Sequence, residues 1–150
     1  MGSFVAVYDG HGGTVSADYA VKHAHKNILS CHRAKVDMQR GTPTDSTIEA
    51  ALTEGFEVTD RECLNINRRK DIKDGSTAVA CLIYGHGREE MQGKLKIFCA
   101  NLGDSRALLC RGGKAVRLIV CVCLCARGRA CAYELNVQGI GAHTCVAETL

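Results

Sequence analysis

Two spacings organise the apolar positions of this chain. Near the start, Phe4-Val5-Ala6-Val7 gives way abruptly to Tyr8-Asp9-Gly10-His11-Gly12-Gly13, which reads as a buried strand handing over to a glycine-rich turn. Beyond it, Ala17, Ala20, Val21, Ala24 and Ile28 recur at helical spacing, with Ser16 placed to act as N-cap. A polar stretch from Asp37 to Asp45 follows. Ser46-Thr47-Ile48-Glu49 then has the form of a capping box, opening a second helix whose apolar face is Ile48, Leu52, Phe56 and Cys63. The charged segment from Asn67 to Gly75 predicts a loop.

The pattern then changes to that of strands. Thr77-Ala78-Val79-Ala80-Cys81-Leu82-Ile83-Tyr84 has the length and β-branched content of a buried strand, broken by Gly85-His86-Gly87. Leu95, Ile97 and Cys99 alternate with Lys96 and Phe98, giving another strand that Gly103-Asp104-Ser105-Arg106 interrupts. Ala107 to Cys110 and Lys114 to Leu118 flank Arg111-Gly112-Gly113, a hairpin signal because paired glycines accept the positive φ of a primed turn. One strand, two helices and a strand meander make an α+β layout.

Composition narrows the setting. A length of 150 residues with 46% hydrophobic content suits one folded domain with a core. The net charge of +3 is spread along the chain, and its one basic cluster, Arg68-Arg69-Lys70, is no nucleic-acid footprint. The longest apolar run, Leu118 to Ala126, is far short of the roughly 20 residues of a membrane span. Met1 runs straight into a strand with no export leader, which predicts a cytoplasmic or nuclear protein and reduced thiols. Cys31, Cys63, Cys81, Cys99 and Cys110 stand singly among apolar positions, the pattern of buried free cysteines.

After Leu118 the composition shifts. The other five of the ten cysteines crowd into Ile119 to Leu150, which has no aspartate and only Glu134 and Glu148 as acids. Cys121, Cys123 and Cys125 would share one strand face but lack the Cys-x-x-Cys spacing of a structural zinc site. This tail reads as translation from a wrong frame or from unspliced intron.

The candidate chemistry lies in the first turn. Asp9 and a main-chain carbonyl suit a hard cation, and a neighbouring histidine suits proton delivery to a leaving group. Elsewhere, His23 and His25 sit two apart on the first helix, on different faces, and read as solvated.

Three segments in order, Val7 to Gly13, Asp74-Gly75-Ser76-Thr77-Ala78, and Ala100 to Ala107, resemble the metal-dependent protein serine/threonine phosphatases of the 2C type. The resemblance covers residues 3 to 118. It divides the chain into a partial phosphatase domain, 1–118, and an unrelated Cys-rich tail, 119–150. It implies part of a four-layer α-β-β-α sandwich of two antiparallel sheets flanked by helices. It also implies hydrolysis of phosphoserine or phosphothreonine in a phosphoprotein substrate by water activated between two Mn2+ or Mg2+ ions. The corresponding roles fall on Asp9 and, through its carbonyl, Gly10 as metal ligands, on His11 as the acid that protonates the departing oxygen, and on Asp104 as ligand of a further metal. A monomer that engages neither nucleic acid nor membrane is expected.

The family pattern also includes an acidic pair ahead of the first motif and several aspartates after Leu118 that have no counterpart here. A weakened metal shell, unpaired sheet edges and impaired activity follow as expectations. The alternatives are a non-catalytic phosphatase-like binding module or truncated gene product, and an α/β-hydrolase-type serine esterase. The last rests on His11-Gly12-Gly13 as an oxyanion loop and Ser105 as nucleophile. It conflicts with the strand pattern after Ser105, where an elbow needs a helix, and with an acid and base limited to Glu134 and His143.

Overall fold

A computed structural model describes residues 2–31, 35–37, 43–85, 94–118, 129–136 and 145–148. Strand β1 (Gly2–His11) is followed by helices α1 (Val15–Ser30) and α2 (Asp45–Lys70). Strands β2 (Gly75–Gly85), β3 (Lys94–Leu102), β4 (Arg106–Arg111), β5 (Lys114–Arg117), β6 (Arg129–Asn136) and β7 (Cys145–Glu148) complete the order. They form two antiparallel sheets, β1-β2-β3-β6 and β5-β4-β7.

The continuous apolar run of β2 is explained by burial on both faces. Ala78 and Ala80 face the helix pair with Phe98 and Ala100 of β3, against Ile28, Leu52 and Phe56. Val79 and Cys81 face the smaller sheet with Ile97 and Cys99, against Ala107, Leu109 and Leu118. The described residues thus supply a helix layer and two stacked sheets, an α+β fold. At the hairpin, Arg111 pairs with Lys114 around Gly112 (φ 57°) and Gly113 (φ 74°), the primed geometry expected from the sequence.

Four local expectations are corrected. Strand β1 is buried on one face only: Phe4, Ala6 and Tyr8 pack toward the helices, while Val5 and Val7 are 50% and 37% exposed. The buried residues of the smaller sheet gather over β2 and β3 and leave these valines uncovered. Helix α1 is preceded by Thr14, which makes no side-chain cap, and Ser16 lies buried inside the first turn. Helix α2 starts two residues before the predicted box, at N-cap Thr44, whose Oγ1 accepts from the Thr47 amide at 3.2 Å. It also runs through the expected loop to Lys70, ending where Asp71 turns left-handed at φ 51°. That last stretch turns a polar Asn67 inward, so hydrophobicity could not reveal it, and Arg68, Arg69 and Lys70 complement the helix dipole.

Among the described residues, Cys31, Cys81 and Cys99 are buried. Cys63 is only half-buried, and Cys110 is exposed where β4 runs into the hairpin. Cys81 and Cys99 oppose each other across β2 and β3 with Sγ atoms 3.1 Å apart. His23 is half-buried and stacks on Tyr19, with centroids 4.1 Å apart, in place of the solvated ring expected. Within the tail expected to be unrelated, β6 pairs with β3 and β7 with β4. Cys121, Cys123, Cys125, His86, Gly87 and His143 lie outside the described residues. No helix among the described residues is long and apolar enough to cross a membrane.

Candidate functional site

The three motifs meet at one end of the larger sheet. Antiparallel register sets His11 opposite Gly75, Asp9 opposite Thr77, and Ala78 opposite Leu102. The end of β1, the start of β2 and the end of β3 therefore lie side by side, each leading into its motif turn. His11 is held by what Gly75 lacks: a β-carbon there would sit 2.6 Å from His11 Nε2. The imidazole thus rests against the Gly75 backbone, exposed at the sheet end.

The second motif has a structural part that sequence reasoning missed. Asp74 stands in for the absent cap of α1: its Oδ2 accepts from the Val15 amide at 2.8 Å, and its Oδ1 from the Ser16 hydroxyl at 2.6 Å. Asn67, from the last turns of α2, donates through Nδ2 to Asp74 Oδ1 at 2.9 Å and to the Asp74 carbonyl at 3.0 Å. One carboxylate ties the start of α1, the end of α2 and the start of β2. The Ser16 hydroxyl, then Asn67 and the helix amides, hold its pKa below the usual carboxylate value, against the opposing effect of desolvation. The available signal was a helix start lacking its own cap and an aspartate 58 residues on with no local helix to cap.

The third motif is pinned to the second. Thr77 Oγ1 and Ser105 Oγ are 2.7 Å apart, and Asn101 donates to the Ser105 carbonyl, closing the turn that carries Asp104. Ser105 is 1% exposed and leads into β4, not a helix, so the geometry of a serine nucleophile is absent.

Of the predicted site residues, His11 and the exposed Asp104 line one cavity of about 640 Å³. Asp9 and Gly10 lie on the strand end beside it and are not among its lining residues. The Asp9 carbonyl accepts from the Ser76 hydroxyl at 3.2 Å, and its side chain is exposed on the face shared with Val5 and Val7. Hard dications take about six oxygen ligands. Among the described residues no group of three or more His, Cys, Asp or Glu could hold an ion. Asp9 and the Gly10 carbonyl are suitable donors, but the described set does not complete a metal centre.

Stacked antiparallel sheets under a helix pair, with an Asp-Gly-His-Gly-Gly turn at the strand ends, give the chain the fold class of the 2C-type protein phosphatases. It belongs to the protein phosphatase 2C family, whose family model matches residues 2–120. It is 36% identical over 106 residues to "Probable protein phosphatase 2C 8" of Arabidopsis thaliana, covering 71% of this chain and 26% of that protein. It is 34% identical over 111 residues to the bovine integrin-linked kinase-associated serine/threonine phosphatase 2C, covering 73% of this chain and 26% of that one. The chain therefore spans about a quarter of these relatives. Among solved structures, the Toxoplasma gondii serine-threonine phosphatase 2C superposes with a TM-score of 0.61 at 17% identity, over 79% of this chain and 40% of that one. A C. elegans sex-determining protein superposes with a TM-score of 0.56 at 24% identity, over 79% of this chain and 26% of that one. These two similarities speak to the fold.

Proposed function

We propose that residues 1–118 supply one portion of a phosphoserine/phosphothreonine protein phosphatase, and that the 150-residue chain alone is impaired. The convergence of three family motifs at one sheet end, in register, carries this reading. In it, Asp9 and the Gly10 carbonyl are metal donors, Asp104 is a donor for a further ion, and His11 delivers a proton to the departing serine or threonine oxygen. Mn2+ or Mg2+ would supply the Lewis acid that makes water nucleophilic at neutral pH. Other residues of this chain act by position. Gly75 leaves room for the imidazole, and the Thr77–Ser105 contact fixes the turn that holds Asp104 at the mouth of the same cavity.

Impairment follows from the donor count: two oxygen donors at a turn leave most of a hard cation's shell to water. The non-catalytic binding module is favoured by that same count. The test exchanges residues 2–118 for the matching segment of a full-length 2C relative. The chimera should release phosphate from a phosphothreonine peptide with Mn2+, and Asp9→Asn should remove that activity. The isolated chain should not exceed background. A chimera folded by circular dichroism yet inactive would refute the assigned roles. Mn2+-dependent turnover by the isolated chain, lost in Asp9→Asn, would refute the impairment.

A further inference from the structure

The core between the two sheets holds a pair of thiols that the chemistry above does not use. Cys81 of β2 and Cys99 of β3 are direct register partners, 3% and 0% exposed, in the cluster that joins the larger sheet to the smaller. Strand alternation turns both toward the smaller sheet, so the two sulfurs share one face and meet at 3.1 Å. Cys31 and Cys63 are engaged elsewhere: Cys31 Sγ donates to Glu54 Oε2 at 3.0 Å, and Cys63 Sγ to the Ser16 carbonyl at 3.8 Å.

The backbone already meets the requirement of a cross-link. Residues directly opposite in an antiparallel pair have Cα atoms about 4.5 or 5.5 Å apart, and disulfides span about 4.4–6.8 Å. The β-carbons match less well, at about 4.5–5.5 Å in a sheet against about 3.5–4.5 Å in a disulfide. Bonding therefore closes the sulfurs by about 1 Å, from 3.1 Å to about 2.05 Å, and draws the two strands together. A disulfide formed under such strain is readily reduced, as regulatory bridges are and structural ones are not.

We infer that Cys81 and Cys99 are a reversible oxidation site, converted by hydrogen peroxide to a disulfide across β2 and β3. One sulfur attacks a peroxide oxygen and breaks the O–O bond, giving a sulfenic acid, while its proton leaves with the departing hydroxide as water. The second sulfur attacks the sulfenic sulfur and expels hydroxide, which takes the second thiol's proton. Two thiols and one peroxide thus become one disulfide and two waters. Burial shields the sulfurs, so the first step waits on a local parting of the sheets. The second is fast, because the partner is already in contact. The bridge fastens the strands that carry the second and third motifs, next to Ala100 and three residues beyond Ala78. It needs neither metal nor substrate, so it stands or falls separately from the phosphatase reading.

The test treats the purified, reduced chain with hydrogen peroxide, blocks the remaining thiols with N-ethylmaleimide and digests with trypsin in the absence of reductant. Mass spectrometry should show the peptide 74–88 joined to 97–106, two hydrogens lighter than the separate peptides together. This pairing should exceed every other by about tenfold or more, and reduced glutathione should separate the two peptides. The same treatment in urea should lose the preference, because the contact exists only in the fold. Cys110→Ser, at an exposed position on β4, should leave the yield unchanged. Absence of the linked pair, equal yields in urea, or 97–106 joined instead to the tail peptide with Cys131, the register partner of Cys99 on its other side, would overturn the site. A bridge that glutathione does not open would overturn its reversibility.

Discussion

Replacing Gly55 by alanine sets two effects of opposite sign against each other. Gly55 lies inside α2, where glycine costs about 1 kcal/mol relative to alanine, so helix propensity alone predicts stabilisation by that amount. The contact with α1 predicts the reverse. A β-carbon at position 55 would sit 2.7 Å from both the Cα and the amide nitrogen of Ile28, which are backbone atoms and cannot swing away. The helices must separate instead. Overpacking of this kind costs about 1–3 kcal/mol, with the upper end expected when backbone must move. The adjacent contact from Asn27 Nδ2 to Thr59 Oγ1, 3.0 Å long, would be lost too, at about 1 kcal/mol. The net expectation is destabilisation by about 2–3 kcal/mol, or a melting temperature lower by about 10 °C. Urea and thermal unfolding followed by circular dichroism at 222 nm would measure it. An equal or higher melting temperature would refute the close approach of α1 and α2.

Gly75→Ala should behave differently, because the atom met by the new methyl is the far end of the His11 side chain. Stability should change by less than about 1 kcal/mol while the His11 imidazole resonances shift, as seen by NMR. Asp74 should make the fold acid-sensitive. Its folded pKa is lowered, so its contribution is complete above the unfolded value near 4 and is lost as pH falls through the folded value. Unfolding midpoints should therefore drop in that acid window for the native chain and drop less for Asp74→Asn; parallel pH profiles would contradict this. Leu52→Ala, at a site with 0% exposure between helices and sheet, should cost about 2–5 kcal/mol in denaturant unfolding.

The apolar pattern made most of the fold legible. Period-two and period-3.6 spacings located β1, α1, α2, β2, β3 and the β4–β5 hairpin, and Gly112-Gly113 announced the turn. What escaped was carried by polar residues acting at long range. Asn67 and Asp74 look like members of a charged loop until α2 is seen to bury one and α1 to need the other as its cap. Thr44 was passed over for Ser46 because a capping box is a local signature, while the helix start was fixed jointly by Thr44 and Asp37 through Thr47. The exposure of Val5 and Val7 depends on how far the second sheet extends, which no local window contains. At the site, the motifs single out Asp9, Gly10, His11 and Asp104 as candidates. That Asp104 shares a cavity with His11, and that this cavity reaches between the helix pair and the sheet, required the register of three strands.

The Asp74 clasp has a kinetic consequence. Because the turn after β1 is secured to residues contributed by the far end of α2, that turn cannot open by the cheap fraying usual for glycine-rich loops. Amide protons at Val15 and Ser16 should exchange with solvent at the pace of the helical hairpin's release from the sheet. The segment carrying Asp9 and His11 would then belong to the same cooperative unfolding unit as α1 and α2, its geometry kept or lost together with theirs.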